Sequence, residues 1–387
     1  MKFIKITLFL LLSNSLFAQI DVKKEFEYAA LQYEGMLKSH PDSTKFPQGS
    51  NPDGSPNDRK SDWWCSGFFG GSLWYIFEQT KDPKWREAAE KWTTAVEKEQ
   101  YNTRTHDLGF MIYCPFGNGY RLTQNEAYKP IMLTGAKSLA TRFDPKIGLI
   151  KSWNKFQNQY DYPVIIDNMM NLELLFWAAK TSGDKNLYNI CVTHADNTMK
   201  NHYRPDNSAF HVICYAPDGK VLAKKNHQGY ADESSWSRGQ AWGMYGYVTM
   251  YRETKDKKYL KQAQNIADFI LYNPNMPTDL VPYWDYNAPK IPIEERDASA
   301  AAICASALLE LQGYVKGKKR KTYFAAAEKM LTSLTSPTYK AKLGENNHFL
   351  ILHCTGAKSL KSEIDVPLVY ADYYYLEALL RYQKIKH

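Results

Sequence analysis

The sequence predicts an all-α fold, an (α/α)6 barrel or six-hairpin toroid around one central cleft, with a small β-hairpin in a loop. Three observations predict it. Apolar residues recur at helical steps almost throughout, one turn pattern repeats along the chain, and long polar segments separate the repeats.

The helical period is clearest over residues 84–98, 259–271 and 322–334, where apolar residues fall three and four apart and so share a face. Between such stretches a helix ends, a polar turn follows, and an aromatic opens the next helix. This happens from Thr80 to Trp85, Thr123 to Tyr128, Ser182 to Tyr188, Thr254 to Tyr259 and, more loosely, Lys316 to Tyr323. Asp82, Asn125, Asp184 and Asp256 stand just before their helices, where a side-chain oxygen accepts an orphan backbone N–H. The aromatic is expected to plug the joint of each hairpin. With helices at 23–38 and 367–384 the count is about twelve, and repeats of this period mean stacked hairpins. An open solenoid is the alternative. The long segments 41–61, 143–163, 201–236 and 273–297, rich in Gly, Pro, Asn and Asp, favour a ring whose loops wall one cleft. The β signal is confined to 210–215 and 221–223, with Pro217-Asp218-Gly219 between them as the turn. No linker divides the chain, so residues 19–387 read as a single domain.

Residues 1–18 carry Lys2 and Lys5, an apolar stretch around Leu8 to Leu12, then Leu16-Phe17-Ala18. That is the pattern of a secretory signal, too short to anchor in a bilayer. The mature chain is expected to start near Gln19 and to be periplasmic or secreted. No Cys follows the cut, and nothing later is apolar for long enough to span a membrane. The remaining Cys65, Cys114, Cys191, Cys214, Cys304 and Cys354 are widely spaced without a CxxC pair, which predicts buried free thiols and no zinc site.

A net charge of +8 favours anionic ligands. The densest basic run, 316–321, is short and reads as a solvated turn, not a nucleic-acid arm. Aromatics reach 14%, with 28 Tyr and 10 Trp, which fits either a large aromatic core or a groove whose rings stack on sugars.

Three segments interrupt the core pattern with polar residues: 105–110, 166–171 and 227–242. Asp167 opens an apolar helix at 168–179, as a helix cap or as a carboxylate at the cleft mouth. Asp107 precedes a second apolar helix start. Two such acids close together in a partly dry site would split their pKa values, and the higher one would hold a proton at neutral pH. Arg238 offers a planar fork suited to a carboxylate, unless Asp232 or Glu233 occupies it. Trp236 and Trp242 either bracket a sugar ring or join the core.

These segments make the chain resemble glycoside hydrolase family 88, the unsaturated glucuronyl hydrolases. The matching motifs are THDLGF (105–110), IDNMMN (166–171), HQGYADESSWSRGQAWGMYGY (227–247) and SEIDVPLVYADYYYLEALLRY (362–382). WCSGFFGGSLW (64–74) is close to a fifth, with Gly70 where the family has Pro, a change expected to alter a turn. The resemblance implies the (α/α)6 barrel. It also implies an enzyme that removes a terminal 4,5-unsaturated uronic acid from fragments made by polysaccharide lyases, by hydrating the C4=C5 enol ether. Asp167 would be the general acid/base, and Asp107 would hold substrate and tune it. His211, Gln228, Arg238 and Trp242 would surround the unsaturated ring, and His227, Trp64 and Trp153 would line the same pocket. No metal or organic cofactor is implied.

The parent polymer is open among chondroitin, hyaluronan, heparin and ulvan. Some relatives carry S-x-S-x-K before the last helix; here the stretch is Ala357-Lys358-Ser359-Leu360-Lys361, so Ser359 and Lys361 are expected either to read a sulfate or to form an ordinary basic loop. An unsaturated rhamnogalacturonyl hydrolase, an (α/α)6 polysaccharide lyase and a sugar-binding toroid are the alternatives.

Overall fold

The structure, a computed structural model, describes residues 20–386, so the leader pattern at 1–18 lies outside the described residues. Among the described residues twelve α-helices run α1 Val22–Ser39, α2 Ser66–Thr80, α3 Pro83–Thr94, α4 Asn118–Thr123, α5 Tyr128–Ala140, α6 Leu172–Ser182, α7 Lys185–His202, α8 Ser237–Thr254, α9 Lys257–Leu271, α10 Ala298–Leu311, α11 Gly317–Leu334 and α12 Val369–Lys386. A π-helical segment, Gly109–Gly117, leads into α4, and a 3-10 segment, Ile166–Asn171, leads into α6.

Even-numbered helices form an inner ring and odd-numbered ones an outer ring. α10 shows why: ASAAAICASALLEL has small or apolar side chains around its whole circumference, and nearly all of it is buried. α9 instead buries Tyr259, Gln262, Ala263, Ile266, Ala267 and Ile270, a single stripe at helical spacing. The inner helices pack in closed order. α2 meets the π segment, that segment meets α6, and the 3-10 lead-in meets α8; α8 then meets α10, α10 meets α12, and α12 returns to α2. Closure rules out the open solenoid and makes the fold an (α/α)6 barrel.

The repeated turn has a defined chemistry. Thr80 Oγ donates back to the Ile76 carbonyl and accepts the Asp82 N–H at 3.4 Å, while Lys81 takes the left-handed conformation at φ 58°. Asp82 then accepts the Lys84 N–H at 3.1 Å and caps α3. Thr254, Lys255 and Asp256 repeat the arrangement before α9, as do Ser182, Gly183 and Asp184 before α7. Trp85, Tyr128, Tyr259 and Tyr323 are buried at their joints as expected. Tyr188 is not: it is 39% exposed, and Leu187 fills that joint instead.

All these turns are short and lead from an inner helix to an outer one. Every long connection leads from an outer helix to the next inner one, so the long loops collect at the N-terminal mouth of the inner ring. They carry the β structure. The expected hairpin is present as Val212–Tyr215 paired with Val221–Lys225, and it gains a third strand, Pro163–Ile165, that the sequence did not signal. A second unsignalled hairpin pairs Phe46–Ser50 with Pro56–Arg59.

Two buried histidines of α7 hold this layer. The Ile150 N–H donates to His194 Nδ1 at 3.0 Å, and His202 Nε2 lies 3.1 Å from the Val164 carbonyl. Burial pushes both down to about 3. The unfolded chain therefore binds protons at these sites first, so stability falls as pH drops from about 6.5 towards 3. The six cysteines are free and buried, and no helix among the described residues is long and apolar enough to cross a membrane.

Candidate active site

At the N-terminal mouth lies a cavity of about 300 Å³, bordered by residues from five of the long connections or the inner segments they lead into. Asp107 and Asp167 both line it. They meet because Gly109 lets the two backbones touch: a Cβ there would fall 2.6 Å from the Asn171 Cα, so the π segment and the 3-10 segment pack without a side chain between them.

Asp167 does not cap a helix. Ile165 stands at the cap position, and the aspartate sits in the first turn of the 3-10 segment with no capping hydrogen bond. Its Oδ2 is buried without a hydrogen-bond partner, 3.5 Å from His211 Nε2. On the far side of that ring, Nδ1 accepts the backbone N–H of His227 at 3.3 Å and of Gln228 at 3.2 Å. Nδ1 is thus an acceptor, which leaves the ring hydrogen on Nε2, facing Asp167. His211 stacks on Trp236 at 4.5 Å and stands behind Asp167, not on the cavity wall.

The two carboxyls do split. Burial raises Asp167, but the Nε2–H edge of His211 that faces it, with His106 and the Arg238 guanidinium, outweighs burial and holds the carboxyl below its ordinary value. Burial also raises Asp107; His106, Thr105 and Asn171 oppose it, the charge of Asp167 adds to it, and the net is upward. Asp107 accepts from Thr105 at 3.0 Å and Asn171 at 3.5 Å, with His106 Nε2 at 3.4 Å. In the free cavity Asp107 is the carboxyl that holds a proton more readily.

Arg238 lines the cavity with both Nη atoms already engaged, while its Nε is buried without a partner. Nη1 donates to Asp297 at 2.7 Å and to the Thr355 carbonyl at 2.8 Å, and Nη2 donates to the Gly356 carbonyl at 2.6 Å. The guanidinium lies over Trp236 and Tyr370 and is 1% exposed. It contributes a positive wall, with both Nη atoms held by the protein where an open bidentate clamp was expected. Neither Asp232 nor Glu233 holds it: Asp232 pairs with Lys225 and Glu233 faces Arg204.

Trp242 and Trp236 do not bracket a sugar. Trp242 is fully buried against Phe110 and Tyr374, behind the cavity floor. The tryptophans on the wall are Trp63, Trp64 and Trp153, with His227 packed on Trp153 at 5.0 Å. Gln228 also lines the cavity and donates to the Gly356 carbonyl at 3.2 Å. Ser359 donates to the His227 carbonyl at 2.7 Å, which ties two loops together, and Lys361 is exposed outside the lining. Gly70 lies inside α2 against Pro115, so the expected altered turn does not exist.

Arg59, Trp63, His106 and Glu363 line the cavity as well, and Asp297 holds Arg238. Sequence reasoning passed over all five, although His106 and Glu363 sit inside the motifs quoted above. Among the described residues no group of three or more His, Cys, Asp or Glu stands close enough together to hold a metal ion.

With this geometry the chain was compared with known proteins. Residues 38–385 match Glycosyl Hydrolase Family 88. An unsaturated glucuronyl hydrolase of Formosa agariphila is 44% identical, covering 94% of this chain and 92% of its own. A crystal structure of an unsaturated glucuronyl hydrolase specific for heparin is 46% identical with a TM-score of 0.91, over 94% of this chain and 97% of that one. An Asp-to-Asn variant of the Streptococcus agalactiae enzyme, complexed with dGlcA-GalNAc6S, has a TM-score of 0.81 at 28% identity, over 94% of this chain and 92% of that one. The chain therefore belongs to Glycosyl Hydrolase Family 88 and is a glycoside hydrolase of the unsaturated glucuronyl type.

Proposed function

We propose that this enzyme removes the terminal 4,5-unsaturated uronic acid from lyase-made fragments of ulvan or a glycosaminoglycan, by hydration of the ring double bond. The observation that carries this reading is a buried Asp167 whose Oδ2 has no partner, beside a second buried carboxyl in one cavity. Protonating an electron-rich enol ether asks for one positioned acid in a dry site.

Asp167, protonated once substrate is bound, delivers its proton to C4. Water adds at C5 and returns a proton to Asp167. The C5 hemiketal then opens, and C1 releases the leaving sugar. Free Asp167 lies below its ordinary value. The anionic ring displaces water and brings a second negative charge alongside, and both effects favour the protonated form. His211 faces the Oδ2 edge, and Asp107 with His106 offers acceptors and a donor to ring hydroxyls. Trp63, Trp64 and Trp153 supply flat apolar surface for sugar faces. Export to the periplasm or beyond belongs to the same reading, supported by the leader pattern at 1–18.

Incubation with lyase digests of each candidate polymer tests the function. The ultraviolet absorbance of the unsaturated uronate should disappear; on intact polymer no such absorbance should appear. A rise in absorbance on intact polymer would make the protein a lyase, and no change on any digest would make it a binding protein.

A further inference from the structure

One wall of the cavity is built from the loop before α12, where Ala357, Leu360, Ser362 and Glu363 face inward. The carboxylate of Glu363 is the one acid on this wall. Its Oε1 accepts from Gln48 Nε2, and Gln48 in turn accepts from Arg59 Nε at 2.6 Å. Its Oε2 lies over the Gly356 Cα, close enough that any side chain at 356 would collide with it. Burial raises this carboxyl, with Arg238 and Arg59 opposing.

Glu363 sits at φ 54°, a left-handed conformation that Lys361 and Asp365 of the same loop share.

The rest of the wall is poor in positive charge. Lys358 is spent on Glu294 at 2.6 Å and on Glu295, and it lies over Trp284. Lys361 is outside the lining. Among the described residues lining the cavity the cations are Arg59 and Arg238. Arg59 covers Trp63 at 5.0 Å, and Arg238 is held by Asp297. A sulfate ester against this wall would meet alanine, leucine, a neutral hydroxyl and a carboxylate. A sugar hydroxyl there would find an acceptor.

We propose that Glu363 is a specificity-determining residue: it accepts a hydroxyl of the bound oligosaccharide and turns away a sulfate at the same place. This rests on the hydrolase reading above. Specificity of this kind needs a repulsive element as well as an attractive one, and Glu363 supplies both.

The test uses the whole chain and unsaturated uronyl disaccharides that differ by one sulfate ester, on either ring, with kcat/KM read from loss of ultraviolet absorbance. For wild type at least one sulfated isomer should be poorer than the unsulfated one by about tenfold or more. Glu363→Gln should recover most of that gap, chiefly in KM, and Glu363→Gly, which suits the left-handed backbone, should do the same. A wild type that hydrolyses all isomers equally overturns the inference. So does a gap that both variants leave unchanged while they still hydrolyse the unsulfated disaccharide. A wild type inert on every disaccharide overturns the activity reading and this inference with it.

Discussion

Asp167→Asn is expected to lower kcat by about 10²–10⁴-fold, and further if one group serves both proton transfers, while the protein stays folded. The thermal midpoint should hardly move. Asp167 makes no capping bond and its Oδ2 has no hydrogen-bond partner, so the amide removes a proton carrier without removing a structural contact. KM should change less than kcat, because the amide keeps the size and an acceptor oxygen. Asp107 is the rival proton donor, favoured by its raised value in the free cavity. Asp107→Asn disturbs bonds from Thr105 and Asn171, so it should weaken binding as well as turnover. A folded Asp167→Asn enzyme with near-normal kcat, beside an inactive Asp107→Asn enzyme, would reverse the two roles.

Asp297→Ala should be the most destabilising single change at the site. Arg238 and Asp297 are 1% and 0% exposed, and the pair is 2.7 Å apart. Removing the acid leaves a buried guanidinium uncompensated, which costs about 3–5 kcal/mol. The same carboxylate caps α10 by accepting the Ser299 N–H at 3.1 Å, a contact worth about 1 kcal/mol that overlaps with the first loss. Thermal melting should drop by many degrees. Activity should fall with it, because Arg238 and Gln228 meet on the Gly356 carbonyl and share that wall. A thermal midpoint close to wild type would show that Arg238 does not depend on Asp297.

The helices, their joints and the ring were legible in the sequence because each depends on local rules: spacing, caps and turn chemistry. Asp82 and Asp256 cap the helices they precede. The strand Pro163–Ile165 was not legible, since its partner Val212–Tyr215 lies far along the chain. The site followed the same division. Asp107, Asp167, His227 and Gln228 stand in contiguous motifs, and the cavity gathers them. Which face a side chain shows could not be read locally. Trp242 and Arg238 share the first turns of α8, yet one packs behind Phe110 and the other is captured by Asp297 from the next long loop. Arg59 comes from a hairpin that reads as a polar loop.

The central claim is that water adds to the ring double bond and not at the glycosidic carbon. Hydrolysis in heavy-oxygen water followed by mass spectrometry of both products tests it most directly. Hydration predicts the new oxygen on C5 of the released keto acid, with the leaving sugar unlabelled. Label at the anomeric carbon of the released uronate, with C5 unlabelled, would contradict the account.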